Sequence, residues 1–375
     1  MNSKDTLTLV YMFLAWNIFS VIRGFFIAET YWDWKGLVDN FLKLMVPLMT
    51  IVFVDSKKVQ SLLSVFMNVG LIVFIILSPF IHYDAFGFFL APISLILIFL
   101  PYIPNKWRVL ILFLTFLVFV IDVGARSNII KFGIPLLLMF IYFSRSIIPK
   151  WILLLLRFKL MILPVILFAL GVLGIFNIFK MDEYLGEQKQ VKTNFEGEVV
   201  EEPLTADTRT FIYEEVLYTA QKHNSWLIGR SPARGYESEA FGAWAEANTG
   251  RPERLAAEVG VINVFLWNGV IGVILYFLIF WRASYLAIHC SNNIFSKMIG
   301  LFVAFRWFYS WIEEINLFTL NYVVLWMMIG ICFSRSFRKM DDLEVKFWVQ
   351  GIFNKKYRIV DTFLNFNSYS LNRRD

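Results

Sequence analysis

Four arginines and a glutamate stand out by where they fall. Arg126 lies in the short turn Val123-Gly124-Ala125-Arg126-Ser127-Asn128, and Arg209 lies in Asp207-Thr208-Arg209-Thr210. Arg230 and Arg234 flank Pro232 in the turn-rich tract Gly229 to Tyr236, and Glu258 closes the same polar segment. A guanidinium is planar, stays charged and binds phosphate oxygens two at a time, whereas a positioned carboxylate accepts a proton from a hydroxyl group. Arg23, at the end of the first apolar run, and Arg306, inside a late one, add two cations that face a cavity or a partner rather than lipid. Five of these seven have a plainer reading. Asp122 precedes Arg126 by four residues, Glu313 follows Arg306 by two turns, Arg254 precedes Glu258 by four, and Arg230 with Arg234 fits a solvated basic turn.

The elements that position these groups follow from composition. Of 375 residues, 58% are hydrophobic and 17% charged, too apolar for a soluble globular chain, so the class is an all-α polytopic integral membrane protein. The net charge of +6 does not indicate a nucleic-acid partner, because the basic residues sit at the ends of apolar runs, where orientation in a lipid bilayer places them. Cys290 and Cys332 are too few for a disulfide framework, and neither is expected to be bridged. The first run, Leu7 to Ala28, has no cleavage pattern after it and is expected to be retained. Ten membrane-length runs are readable, at about 7–28, 39–54, 60–81, 85–103, 107–123, 128–144, 160–179, 259–281, 298–312 and 315–334. They are continuously apolar, as membrane helices are and barrel strands are not.

Basic connectors at Lys57-Lys58, Lys106 with Arg108, Arg145 with Lys150, Arg282 with Lys297, and the tail from Arg335 fall on every second side. That alternation predicts both termini on the cytoplasmic side, with the opposite connectors outside. The chain divides into a seven-span region (1–179), one large outer loop before the last three spans (180–258), a three-span region (259–334) and a basic tail (335–375). The tail is expected along the cytoplasmic lipid surface, and Arg157 with Lys159 is expected to snorkel where the seventh span begins. On a helix, Glu258 would share a face with Ile262, Phe265, Gly269 and Gly272, the two glycines letting a neighbouring helix approach.

In this order, Gly124-Ala125-Arg126-Ser127, Asp207-Thr208-Arg209 with Phe211-Ile212-Tyr213, Leu227-Ile228-Gly229-Arg230 with Gly235-Tyr236, and Gly269-Val270-Ile271-Gly272 resemble motifs of the O-antigen polymerase and ligase family. The match runs from about Val120 to Phe280. Arg23-Gly24 and Tyr31-Trp32-Asp33-Trp34-Lys35 also look like the early region of polymerase-type members, although the family commonly has two more spans at its start. The ligase branch carries a His-Asn pair eleven residues before the first glycine of the helix that leaves the loop; here that count lands on Glu258-Val259. His223-Asn224 lies too early, and His223 reads as an ordinary loop histidine.

The resemblance implies a bacterial inner-membrane glycosyltransferase working at the periplasmic face on a polyprenyl-diphosphate-linked oligosaccharide, without a metal or other cofactor. On that reading Arg126 and Arg209 clamp the diphosphate leaving group, and Glu258 takes the acceptor's proton. Arg23, Arg230, Arg234 and Arg306 are further substrate-binding candidates. Polymerisation of repeat units into O-antigen or another surface polysaccharide is the first expectation, with a chain-length regulator and other assembly proteins as partners. Ligation of a finished glycan to a lipid A core is the alternative, and a non-enzymatic flippase is the rival from another class. The absence of an internal repeat argues against the last.

Overall fold

The computed structural model describes residues 7–82, 85–121, 126–180, 183, 186, 189–193, 199–203, 207, 209–314 and 317–358. Five helices are long and apolar enough to cross a membrane: α1 (Thr8–Ile27), α2 (Tyr31–Phe53), α3 (Ser56–Phe80), α7 (Lys150–Val172) and α10 (Gly260–His289). Between α3 and α7 come the short α4 (Ala91–Leu97), α5 (Asn105–Ile121) and α6 (Arg126–Phe143). After α10 come α11 (Ile294–Tyr309), α12 (Leu320–Phe333) and α13 (Asp342–Phe353). The chain is predominantly helical, which is compatible with the all-α membrane class.

The outward faces identify the solvent. Phe19, Ile22, Phe25 and Phe26 on α1, Ile72, Val73, Ile75 and Ile76 on α3, and Leu155, Phe158, Val165 and Ile166 on α7 are all exposed. Rows of bare branched and aromatic side chains on neighbouring helices belong against hydrocarbon, where every backbone group is already paired within its own helix. Inside, α10 packs on α1, α11 and α12, and α7 packs on α11. Tyr276, Phe280, Trp307 and Trp326 interlock at that junction, with ring centroids 4.9 to 6.3 Å apart.

Three expectations change. The run at 85–103 holds α4, only seven residues long and buried throughout, with a 3-10 turn at Leu100–Tyr102 after it. Pro92 and Pro101 remove backbone donors there, so the run, with a further piece at Phe86–Phe89, is a series of short helical pieces and not one continuous helix. Arg157 does not snorkel: it is buried between α7 and α10, donating to Ser284 Oγ and the Trp281 carbonyl at 2.9 Å each and lying over the Trp281 ring. Nor does the described part of the tail, 335–358, lie along lipid through its apolar face. Trp348 of α13 is fully buried, its indole donating to the Ser56 carbonyl at 3.1 Å while Gln60 donates to its own carbonyl. The apolar stripe Val345, Trp348, Val349 and Ile352 recurs at helical spacing and needs a protein surface to cover it.

The polar segment carries structure of its own. Strands β1 (Lys189–Thr193) and β2 (Val199–Pro203) pair antiparallel. Helix α8 (Thr210–Lys222) follows, then α9 (Gly242–Thr249) between the short paired strands β3 (Tyr236–Glu237) and β4 (Glu253–Arg254). Cys290 and Cys332 are both free.

Candidate functional site

The loop is joined to the membrane helices through backbone. At Gly269, with φ +66° and ψ −167°, α10 breaks and resumes. The helical bonds lost there are replaced by the tract 226–231. Arg230 N donates to the Leu266 carbonyl at 2.7 Å, Ser231 N to the Trp267 carbonyl, and Val270 N to the Trp226 carbonyl at 2.8 Å. Two glycines make the approach possible. A Cβ on Gly229 would stand 2.4 Å from the Trp267 carbonyl carbon, and one on Gly269 would stand 2.3 Å from that of Leu227. Both also have positive φ, which side-chain-bearing residues rarely adopt. The close approach that Gly269 permits is to this tract, not to another helix; Gly272 meets Asn268 of its own helix.

Helix α1 completes the joint. Arg23 donates to the Ile228 and Gly229 carbonyls at 2.7 and 2.9 Å, Trp16 to the Asn268 carbonyl, and the Asn268 amide to Asn17 Oδ1. Arg23 is thus placed as a brace. Arg230 and Arg234 converge on Glu253: Arg234 is bidentate at 3.1 and 2.6 Å, and Arg230 reaches it at 3.3 Å while also donating to the Gly235 carbonyl. Burial alone would raise the Glu253 carboxyl, but the hydrogen bond from Arg234 and the two positive charges hold it below the usual range. This triad fastens the loop's inner turn, so neither arginine is a solvated basic turn.

Arg209 stands at the head of α8. Asp207 Oδ1 accepts from the amides of Arg209 and Thr210 at 3.0 and 2.9 Å, which starts the helix where the Asp-Thr-Arg-Thr sequence predicts it. The guanidinium donates to Glu258 Oε2 at 2.7 Å and to the Ile312 carbonyl at 3.3 Å, with Glu313 at 4.0 Å. Arg254 reaches the other oxygen of Glu258 at 3.3 Å. Glu258 lies two residues before α10, not on it, because Val259 is extended and the helix begins by donating Gly260 N to the Glu313 carbonyl and Val261 N to that of Ser310. Those bonds seat the end of α11 beside the start of α10.

A carboxylate missed as a candidate lies next to this pair. Glu314 Oε1 accepts from Asn263 at 3.1 Å, and Asn263 is itself tied to the Ala257 backbone by both ends of its amide. Burial pushes the Glu314 carboxyl up to about 7; the Glu258 and Glu313 charges act the same way and Lys43 acts against them. Its signal in the sequence was the pair Glu313-Glu314 directly after an apolar run, since carboxylates at such a border need a polar neighbourhood.

Beside Arg209 runs a groove of about 420 Å³ between α7 and α8. Leu167, Phe168, Phe179, Leu217 and Trp311 supply apolar walls, and Thr210, Glu214 and Gln221 are polar positions along it. Ile312, whose carbonyl Arg209 holds, lines it too. Tyr213, also in its wall, donates to the Trp311 carbonyl.

The structure therefore brings Arg209, Glu258, Arg254, Glu313 and Glu314 together and sets Arg23, Arg230 and Arg234 in the joint between loop and helices. Arg306 is buried in α11 without an ion pair to Glu313 among the described contacts. Arg126 opens α6, but its side chain and residues 122–125 lie outside the described residues. His223 bonds Glu237 at 2.8 Å, away from this cluster. No family model, characterised protein or solved structure matches the chain.

Proposed function

We propose that the protein is a membrane glycosyltransferase of the O-antigen polymerase type, joining lipid-linked oligosaccharide repeat units at the periplasmic face of the inner membrane. The ten-span arrangement, with both termini cytoplasmic and the loop outside, belongs to this proposal, as does the family itself. The observation that carries it is the position of Arg209, a cation beside a mostly apolar groove of about 420 Å³. Such a groove suits an amphiphile with an anionic head, which a polyprenyl diphosphate is.

In this mechanism the donor diphosphate takes Arg209 from Glu258. Both Glu258 oxygens are engaged by guanidinium groups, so the carboxylate becomes free to act as a base only when one of them moves. The acceptor hydroxyl then gives its proton to Glu258 and its oxygen bonds the anomeric carbon. The bond from that carbon to the diphosphate breaks, and the leaving group keeps the electron pair beside Arg209. Arg126 is the second cation of the proposed clamp, at the head of a helix that packs on α11. A glutamate where the ligase branch has histidine favours polymerase over ligase.

The test is purified protein supplied with a lipid-linked repeat unit. Arg209→Ala should abolish chain extension and Arg209→Lys should rescue it poorly, since a point charge cannot reproduce the fork. Glu258→Gln should slow extension by about a hundredfold or more while donor binding survives. Full extension by Arg209→Ala removes this site from the reaction. No extension by the parent protein, with lipid-linked units moved across vesicles instead, makes the chain a transporter.

A further inference from the structure

A second polar cluster lies away from the loop joint, among α4, α6, α11 and α12. Arg306 of α11 is 2% exposed, and among the described residues neither its Nε nor its Nη2 has a hydrogen-bond partner. Lys131 of α6, 5% exposed, has among the described residues a single bond, to Ser127 Oγ at 3.3 Å one turn earlier on its own helix. Asn321 of α12 leaves its amide Nδ2 without a partner as well. All three border one small cavity of about 10 Å³, whose other walls are Ser94 of α4 with Phe302, Val324, Leu325 and Met328. Neither cation is ion-paired to a carboxylate among the described residues, and their nearest aromatic faces are Tyr309 for Arg306, at 5.7 Å, and Phe88 for Lys131, at 5.3 Å.

Taking a single guanidinium out of water without a partner costs several kcal/mol, and here two cations are buried at one cavity. Native interiors do not leave such donors idle, so something fills the space. The Ser94 hydroxyl is already bonded to the Ala91 carbonyl, Lys131, Arg306 and the Asn321 amide are donors, and two cations against the single charge of Glu313, which pairs with neither among the described residues, leave the sum of charge positive, which calls for an anion. The volume is about that of one water-sized sphere, which excludes a phosphate or diphosphate group and suits a single atom.

We propose that Lys131, Arg306 and Asn321 form a buried binding site for one halide-sized monovalent anion, of which chloride is the physiological case. The anion joins α6, α11 and α12 by satisfying all three at once, and so fixes the packing of the helix that leads into Glu313 and Glu314. The assignment does not depend on the glycosyltransferase reading, because it needs only the unpaired cations and the size of the cavity.

The experiment uses the full chain purified in detergent, compared in sodium chloride and in sodium gluconate at equal ionic strength. Chloride should raise the apparent melting temperature by a few degrees in a saturable way, and equilibrium dialysis with labelled chloride should find one ion per chain. Arg306→Gln and, separately, Lys131→Met should lose both effects; Lys131→Met nearly keeps the side-chain length, so one variant still folds if the other does not. Equal melting in the two salts overturns the site, as does chloride dependence that persists in either folded variant. Protection by inorganic diphosphate but not by chloride also overturns it, because the cluster would then belong to a larger phosphate site.

Discussion

At the scale of single residues, Glu314 makes the sharpest prediction. Its carboxyl titrates near 7 in the folded protein and near 4.5 when free, so between those values the folded state holds a proton that the unfolded state has released. Stability contributed by this group is therefore full below about pH 4.5 and is lost as pH rises towards 7. Glu314→Gln, which keeps the bond to Asn263 possible without the charge, should flatten that decline; thermal melting from pH 5 to 8 measures it. A decline of unchanged slope in the variant would assign it to another group. The sequence made Glu258 legible as a charge at the border of an apolar run, and Arg209 through the Asp207-Thr208-Arg209 motif and its resemblance to the family's. Their pairing was not legible, since 49 residues separate them and only the folded chain joins them. The local pair with Arg254, at helical spacing, was readable and forms, yet it leaves one Glu258 oxygen for Arg209.

Elements were legible where hydrophobic periodicity speaks and obscure where backbone geometry decides. The polar segment, the start of α8 and the long apolar helices follow from composition and from Asp207. The break in α10 does not, because Gly269 sits in a run as apolar as any uninterrupted span, and the partner that makes the break tolerable comes from a different segment. This joint predicts a graded response to added methyl groups. Gly229→Ala and Gly269→Ala place a Cβ against main chain that has no room to move, and each should cost on the order of 2–4 kcal/mol. Gly250→Ala also has positive φ, at +76°, but meets nothing within 4 Å, so strain alone costs about 1 kcal/mol. Folded protein recovered from membranes at a fixed temperature should rank Gly250→Ala well above the other two. Equal recovery of all three would mean that the tract does not hold α10.

For the whole molecule, sidedness is the open consequence. Cys290 shares an end with the tail, since Arg338 donates to its carbonyl at 3.0 Å, so a Cys290→Ser background leaves only the buried Cys332. On that background Ala247→Cys, exposed on α9, should react with an impermeant maleimide in intact cells, and Lys355→Cys should react only after lysis. Reaction of both in intact cells would reverse the proposed orientation of the tail. The joint at Gly269 also bears on how such a chain is made. As α10 leaves the ribosome, the carbonyls of Leu266 and Trp267 and the amide of Val270 have no partner within their own helix. Their partners, at Trp226, Arg230 and Ser231, were synthesised earlier and belong to the loop that precedes α10. Completion of the backbone pairing of α10 is thus tied to prior placement of the tract 226–231, and the order of synthesis, loop first and helix second, is the order in which the two halves of the joint can meet.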